Sequence, residues 1–313
     1  MRAGGAAVGG AAAGGVGRPG AVLRRLVDDA LWGAGTPRRL AFVRSGLAVV
    51  IGLRVGLGSY RQLAELPDAL FDPVPVLGLL DGMPSAGTIV AIQVVGVVAA
   101  GLAAFRRWPR ATFAVAWLAY LVLAGLRGSR GKVLHNDLLL LWTSAALLLA
   151  PAVGRGAGAH DRRPSRAFGW PVRTATAVGA LVYFFAGFHK LRRSGPGWVL
   201  GDNIQWVMRW GPSVGSSPLQ GLTDWVGAHS LAAIVSAAFI VGVELTFPLV
   251  IWHPRVRPLY AAAAVVLHVG TWLLLGLDYW AWALTMPLLL VDWPAVLDRV
   301  RAGRDGPVTV ATP

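Results

Sequence analysis

Residues 173–190 read RTATAVGALVYFFAGFHK, and the chain continues through LRRSGPGW to Trp198. Nothing between Thr174 and Phe188 carries a charge. Roughly 17–25 predominantly apolar residues carry a helix across a bilayer. In hydrocarbon every peptide group must be satisfied within the protein, so such a stretch is a helix, and nothing here suggests a barrel. The apolar run ends on His189 and Lys190, then Arg192 and Arg193, before a Gly-Pro-Gly turn at 195–197. Lys190 is therefore either a solubilising charge at a helix end or a chemical group placed where a membrane helix meets water.

The rest of the chain agrees with that setting. It has 313 residues, 55% hydrophobic and only 14% charged, with a mean hydropathy of +0.58. Soluble domains carry about 25% charge. The net charge of +14 reads as the Lys/Arg bias of membrane topology rather than as a nucleic-acid footprint. No cysteine is present, which excludes a disulfide framework, a thiol nucleophile and a Cys-ligated metal. There is no Gly-rich phosphate loop, nucleophile elbow or HExxH. No i, i+4 histidine pair exists, and lysine is a poor ligand, so no metal is expected.

Eight spans are expected, at roughly 39–57, 84–105, 111–126, 133–151, 173–190, 229–252, 257–276 and 278–292. The fold class is an all-α integral membrane bundle of about eight transmembrane helices, with interfacial helices or caps on its outer side. Residues 58–83 and 191–228 are the candidate caps. Residues 1–37 are Ala/Gly-rich and expected to be a disordered tail, and 296–313 a cytoplasmic C-terminal tail. Arginines at 106–110, 152–172, 253–257 and in both tails put both termini in the cytoplasm. Most of the 14 tryptophans lie near span ends, as interfacial anchors do. Gly52 and Gly56 form a small-xxx-small pattern suited to helix packing.

Ionisable groups at mid-membrane cost about 3 kcal/mol on insertion scales and usually face the bundle or a cavity. The candidates are Arg44, Arg54, His135, Asp137, His189, Lys190, Glu244, His268 and Asp278. On a helix, Lys190 shares a face with Gly187, Ala186, Tyr183 and Gly179, a small face suited to packing. His189 shares one with Phe185, Val182 and Val178, which looks lipid-directed. His268 shares a small face with Ala261, Ala264, Val265 and Thr271. Glu244 either holds a proton or pairs with Arg44 or Arg54. His135, Lys190 and His268 fall toward one side of the bilayer under a single topology. A lysine desolvated in such a place can serve as a base, while snorkelling to the headgroups is the plain alternative.

Several motifs are similar to one family. They are YFFAGFHKL at 183–191, GWVLGDNIQWVM at 197–208, LHVGTWLLLGLDYW at 267–280, LLLVDW at 288–293, LAFVRSGLAVVIGLRVGLG at 40–58 and ALFDPVPVLG at 69–78. Residues 38–295 resemble the HTTM family, the transmembrane domain shared with vitamin K-dependent γ-glutamyl carboxylase. The resemblance implies that Lys190, in the matching A-G-x-x-K-L motif, is the base that deprotonates a reduced naphthoquinone such as menaquinol or vitamin K hydroquinone. Oxygen then adds, and the strong base so formed removes a proton from the acceptor. It also implies that His135, in LHNDLLLLW, assists the lysine, and that His268, Tyr183 and Trp198 help hold the quinone.

The carboxylase carries a further large domain that helps bind its peptides. This chain ends soon after its last expected span, so the acceptor is left open as a peptide or another substrate. The expected setting is a bacterial cell membrane. A second expectation is a non-redox maturation or immunity factor for a secreted peptide, as in proteins resembling the SdpB group. A third is a structural membrane protein whose polar groups are packing hydrogen bonds.

Overall fold

The structure is a computed structural model and describes residues 30–130, 135–155, 161–210 and 216–304, with Arg24, Val27 and Asp28 before them. Most of the expected 1–37 tail, and 305–313 of the expected C-terminal tail, lie outside the described residues.

The apolar runs fold as helices with local start and stop signals. Helix α1 is Pro37–Leu57; the Thr36 side chain accepts from Arg39 N at 3.2 Å, and Pro37 opens the first turn without losing a needed donor. Helix α2, Ala86–Ala104, is capped by Ser85 on Thr88 N at 3.2 Å. Helix α3 is Pro109–Gly128. A 3₁₀ turn at His135–Asp137 leads into α4, Leu138–Ala145. Helix α5, Arg166–Ser194, contains the opening stretch and ends at Gly195, whose φ of 56° suits a residue without Cβ. There follow α6 (Asn203–Trp210), α7 (Gln220–Ala228) and α8 (Ser230–Thr246). Helix α9 (Arg257–Leu275) stops at Gly276 in the left-handed region, and α10 (Trp280–Leu290) and α11 (Trp293–Arg304) follow.

Among the described residues, five helices are long and apolar enough to cross a membrane, and up to seven if each bent pair counts as one span. The bent pairs are α7 with α8, at 102°, and α10 with α11, at 69°. The expected span at 133–151 is where the count of eight departs. Its regular helix, α4, covers eight residues, about 12 Å at 1.5 Å per residue, against the ~30 Å of a hydrocarbon core. The candidate cap 58–83 winds into short 3₁₀ turns, and 191–228 into the turn Gly197–Leu200 with α6 and α7.

The described residues are all-helical, with one isolated antiparallel bridge between Gly35 and Ser165. Helix α1 packs against α2, α3, α5 and α10. Gly52 and Gly56 are what let α2 approach it: a Cβ on each would lie 3.1 Å from Ala100 Cβ and 3.4 Å from Val97 Cγ2. Leu40, Leu47, Ile51, Phe113, Tyr120, Leu123 and Leu126 are enclosed at the centre. By contrast α2 exposes Val94, Val95 and Val98, and α9 exposes Val266 and Val269. A water-facing domain would conceal such faces; lipid would cover them. The helices are consistent with a multi-pass membrane protein.

The polar groups separate to two ends. Near the start of α1, Arg38 donates to both oxygens of Asp298 on α11, at 2.6 and 3.0 Å, and Arg162 joins the same carboxylate at 3.0 Å. Arg39 donates to Leu289 O at the end of α10. The far end of α1 meets the start of α10: Arg54 pairs with Asp278, and Asn136 Nδ2 donates to Asp278 O at 2.9 Å. That far end gathers the candidate residues.

Candidate functional site

Helix α5 turns a stripe of small residues inward. Thr176, Gly179, Ala180, Tyr183 and Gly187 are buried, whereas Phe185 and His189 are exposed. Lys190 continues the inward stripe one turn beyond Gly187. Helix α8 packs along it, and a Cβ on Gly187 would stand 2.8 Å from Glu244 Cβ. The bare backbone at Gly187 thus admits the glutamate.

Lys190 Nζ donates to Glu244 Oε2 at 2.6 Å and also to Oε1. The lysine side chain keeps 26% exposure, while that of the glutamate keeps 7%. The indole of Trp198 lies 5.2 Å from Nζ, within cation–π range. A cavity of about 460 Å³ opens here, lined by His189, Lys190, Arg193, Ser194, Trp198 and Asn203. Of the two pairings weighed for Glu244, neither forms. Arg44 donates instead to the carbonyls of Pro151 and Leu147, at 3.0 and 3.2 Å, and Arg54 is committed to Asp137 and Asp278. The reason is positional: Glu244 faces α5, whereas Arg44 faces the segment that follows α4, and Arg54 faces the turns that precede α4 and α10.

Tyr183 lies seven residues before Lys190, about 10 Å down the helix axis. Its hydroxyl meets His268 Nε2 at 2.6 Å, and its ring stacks on Phe247 at 4.1 Å. Trp282 packs edge-on against Tyr183, His268 and Tyr279, and its Nε1 donates to Asn136 O at 2.6 Å. Tyr279 stacks on His268, centroids 5.7 Å apart, and its hydroxyl meets His135 Nε2 at 2.6 Å. Tyr183 is 2% exposed and His268 4% exposed, and His268 Nδ1 is buried with no hydrogen-bond partner among the described residues.

The five site residues expected from the sequence thus assemble as Lys190 with Trp198, Tyr183 with His268, and His135 joined to His268 through Tyr279. Lys190 donates to Glu244, and His135 shares a hydrogen bond with Tyr279. Sequence reasoning did not single out Tyr279, Trp282 or Phe247. The aromatic run DYWAW at 278–282 was the available signal, and an interfacial belt explained it equally well.

Asp137 is enclosed: Arg54 Nε at 2.6 Å, Tyr120 OH at 2.8 Å and Arg127 Nη1 at 3.4 Å all donate to its carboxylate. Comparison of the chain with protein-family models, with curated proteins and with solved structures finds no match for it.

Proposed function

We propose that this chain is a multi-pass protein of a bacterial cell membrane, with both termini cytoplasmic, that binds a reduced naphthoquinone beside Lys190 and takes a proton from it. With oxygen, the protein then modifies a peptide or another acceptor. The observation that carries the reading is Lys190, paired with Glu244 and lining a cavity beside Trp198.

The residues fit such a group. A volume of about 460 Å³ is in the range of small-molecule sites, ~300–1,000 Å³. Trp198 offers an aromatic face for a flat ring, and Lys190 offers a donor for a ring oxygen. Tyr183 and His268 lie outside the cavity lining and would hold the ligand indirectly, by fixing Phe247 and α8 behind Glu244.

When bound, a reduced naphthoquinone supplies a weakly acidic hydroxyl and, with oxygen, the strong base that the acceptor's proton requires. The protein's share is proton handling. Lys190 is already held by both oxygens of Glu244, which suits it to counter negative charge rather than to accept the first proton. Glu244 can take that proton at a carboxylate oxygen while Lys190 Nζ turns from it toward the ligand oxygen. The pair and the ligand together keep their total charge: the proton gained by Glu244 is matched by the negative charge left on the ligand oxygen facing Lys190, which matters where the dielectric is low.

The test is the full chain in nanodiscs with reduced menaquinone or vitamin K, assayed for oxygen-dependent conversion of the quinol to its epoxide. Wild-type turnover that disappears in Lys190→Ala and Glu244→Gln, with quinol binding retained, supports the reading. Quinol binding with no turnover above the Lys190→Ala control would sink it.

A further inference from the structure

A second cavity opens at the same end of the bundle, apart from the Lys190 site. It measures about 420 Å³, and its wall includes Gln62, Arg54, Arg127, Arg130, Asn136 and Asp278. Arg54 and Arg127 stand in the last turns of α1 and α3, and Arg130 follows α3.

The charges do not balance. Asp137 serves Arg54 Nε at 2.6 Å and Arg127 Nη1 at 3.4 Å, and Asp278 serves Arg54 Nη1. Arg130 is exposed and has no ion-pair partner among the described residues. Three guanidinium groups against two carboxylates leave one positive charge over.

The hydrogen bonds do not close either. Arg54 is 4% exposed, yet its Nη2 has no partner among the described residues, and neither has the hydroxyl of Tyr60, which is 1% exposed. Arg127 lies over the Tyr60 ring at 4.5 Å, so both open groups belong to one network. Buried polar groups are nearly always satisfied. A guanidinium only donates, so what Arg54 lacks is an acceptor. A water could accept, but it would leave the surplus charge; an anion answers both.

We propose that this cavity is a binding site for one small oxyanion, a carboxylate or a phosphate. Arg127 and Arg130 engage it from the wall, and it supplies the acceptor that Arg54 Nη2 lacks. Planar guanidinium groups suit the paired oxygens of either class. The site borders the His135–Tyr279 pair through the chain neighbours Asn136 and Asp278, and it rests on nothing assigned to Lys190.

The experiment uses the full chain in an uncharged detergent. Acetate and inorganic phosphate are titrated separately against chloride at constant ionic strength, and binding is followed by calorimetry and by the unfolding midpoint. Saturable binding of one anion per chain is expected, weakened about tenfold or more in Arg130→Gln and partly restored in Arg130→Lys. Arg130 is exposed, so these variants fold. Arg155→Gln, an exposed arginine bonded to Phe105 O, is expected to bind as wild type does. Nanodiscs separate the sources. If phosphatidylglycerol discs suppress binding of added phosphate relative to phosphatidylcholine discs, the native anion is a lipid headgroup; equal binding identifies a soluble one. No saturable binding, or equal affinity in wild type and Arg130→Gln, overturns the proposal.

Discussion

Lys190 and Glu244 lie 54 residues apart in the chain, and Lys190 Nζ donates to both oxygens of the Glu244 carboxylate. The pair joins the end of α5 to α8 where Gly187 brings the two helices together. A lysine that could have reached for the headgroups is turned inward instead, with its stem along the bundle and Trp198 over its charge.

The pair is asymmetric, and its mutants are expected to be so too. Lys190→Met leaves the more buried partner, Glu244, without its counter-charge, at a cost of about 2–3 kcal/mol. Glu244→Gln leaves a lysine that can swing to water, at about 1 kcal/mol. The double variant is expected to lose less than the sum. A double-mutant cycle on reversible unfolding in mixed micelles measures this, and additive single costs would show that the pair is not coupled.

Gly187→Leu is expected to part α5 from α8, because even a Cβ at this position reaches Glu244 Cβ. The cost is about 1–3 kcal/mol, as for other overpacked sites. In that background, Glu244→Gln is expected to add little further loss. A full Glu244→Gln effect in the Gly187→Leu background would contradict the geometry.

Tyr183→Phe keeps the ring on Phe247 but leaves His268 with no partner at Nε2, in addition to Nδ1. An enclosed group left open costs about 1–3 kcal/mol. Tyr279→Phe removes a hydrogen bond to an exposed histidine, which water can replace, so its effect is expected to be smaller. Unfolding midpoints of the two variants compared in one detergent give the order.

Asp137→Asn is expected to be the most damaging of these single substitutions. It leaves Arg54 and Arg127 facing each other with one carboxylate fewer in an enclosed place, at about 3–5 kcal/mol. Asp278, with a side chain 48% exposed, is expected to tolerate the same change at roughly 1 kcal/mol or less. Yield of folded protein after membrane extraction, followed by thermal unfolding, distinguishes the two.

Much of this molecule could be read from the chain alone. The run before His189 had to be helical, because peptide groups in hydrocarbon have only their own helix to bond with. Spacing placed Gly179, Tyr183 and Gly187 on the enclosed face of α5 and His189 on the outer one, since helical periodicity is local. The small pair Gly52 and Gly56 marked a face suited to helix packing, and the structure brings α2 to it. What the sequence could not supply was the partner of each charge. Glu244 was weighed against Arg44 and Arg54, yet it meets Lys190; Arg54 meets Asp137 and Asp278; His135 reaches Tyr279. Those choices depend on which helices become neighbours and how far each slides along the other. The length of α4 and the bends after α7 and α10 were hidden for the same reason: hydropathy reports how apolar a stretch is, while packing decides whether it runs straight.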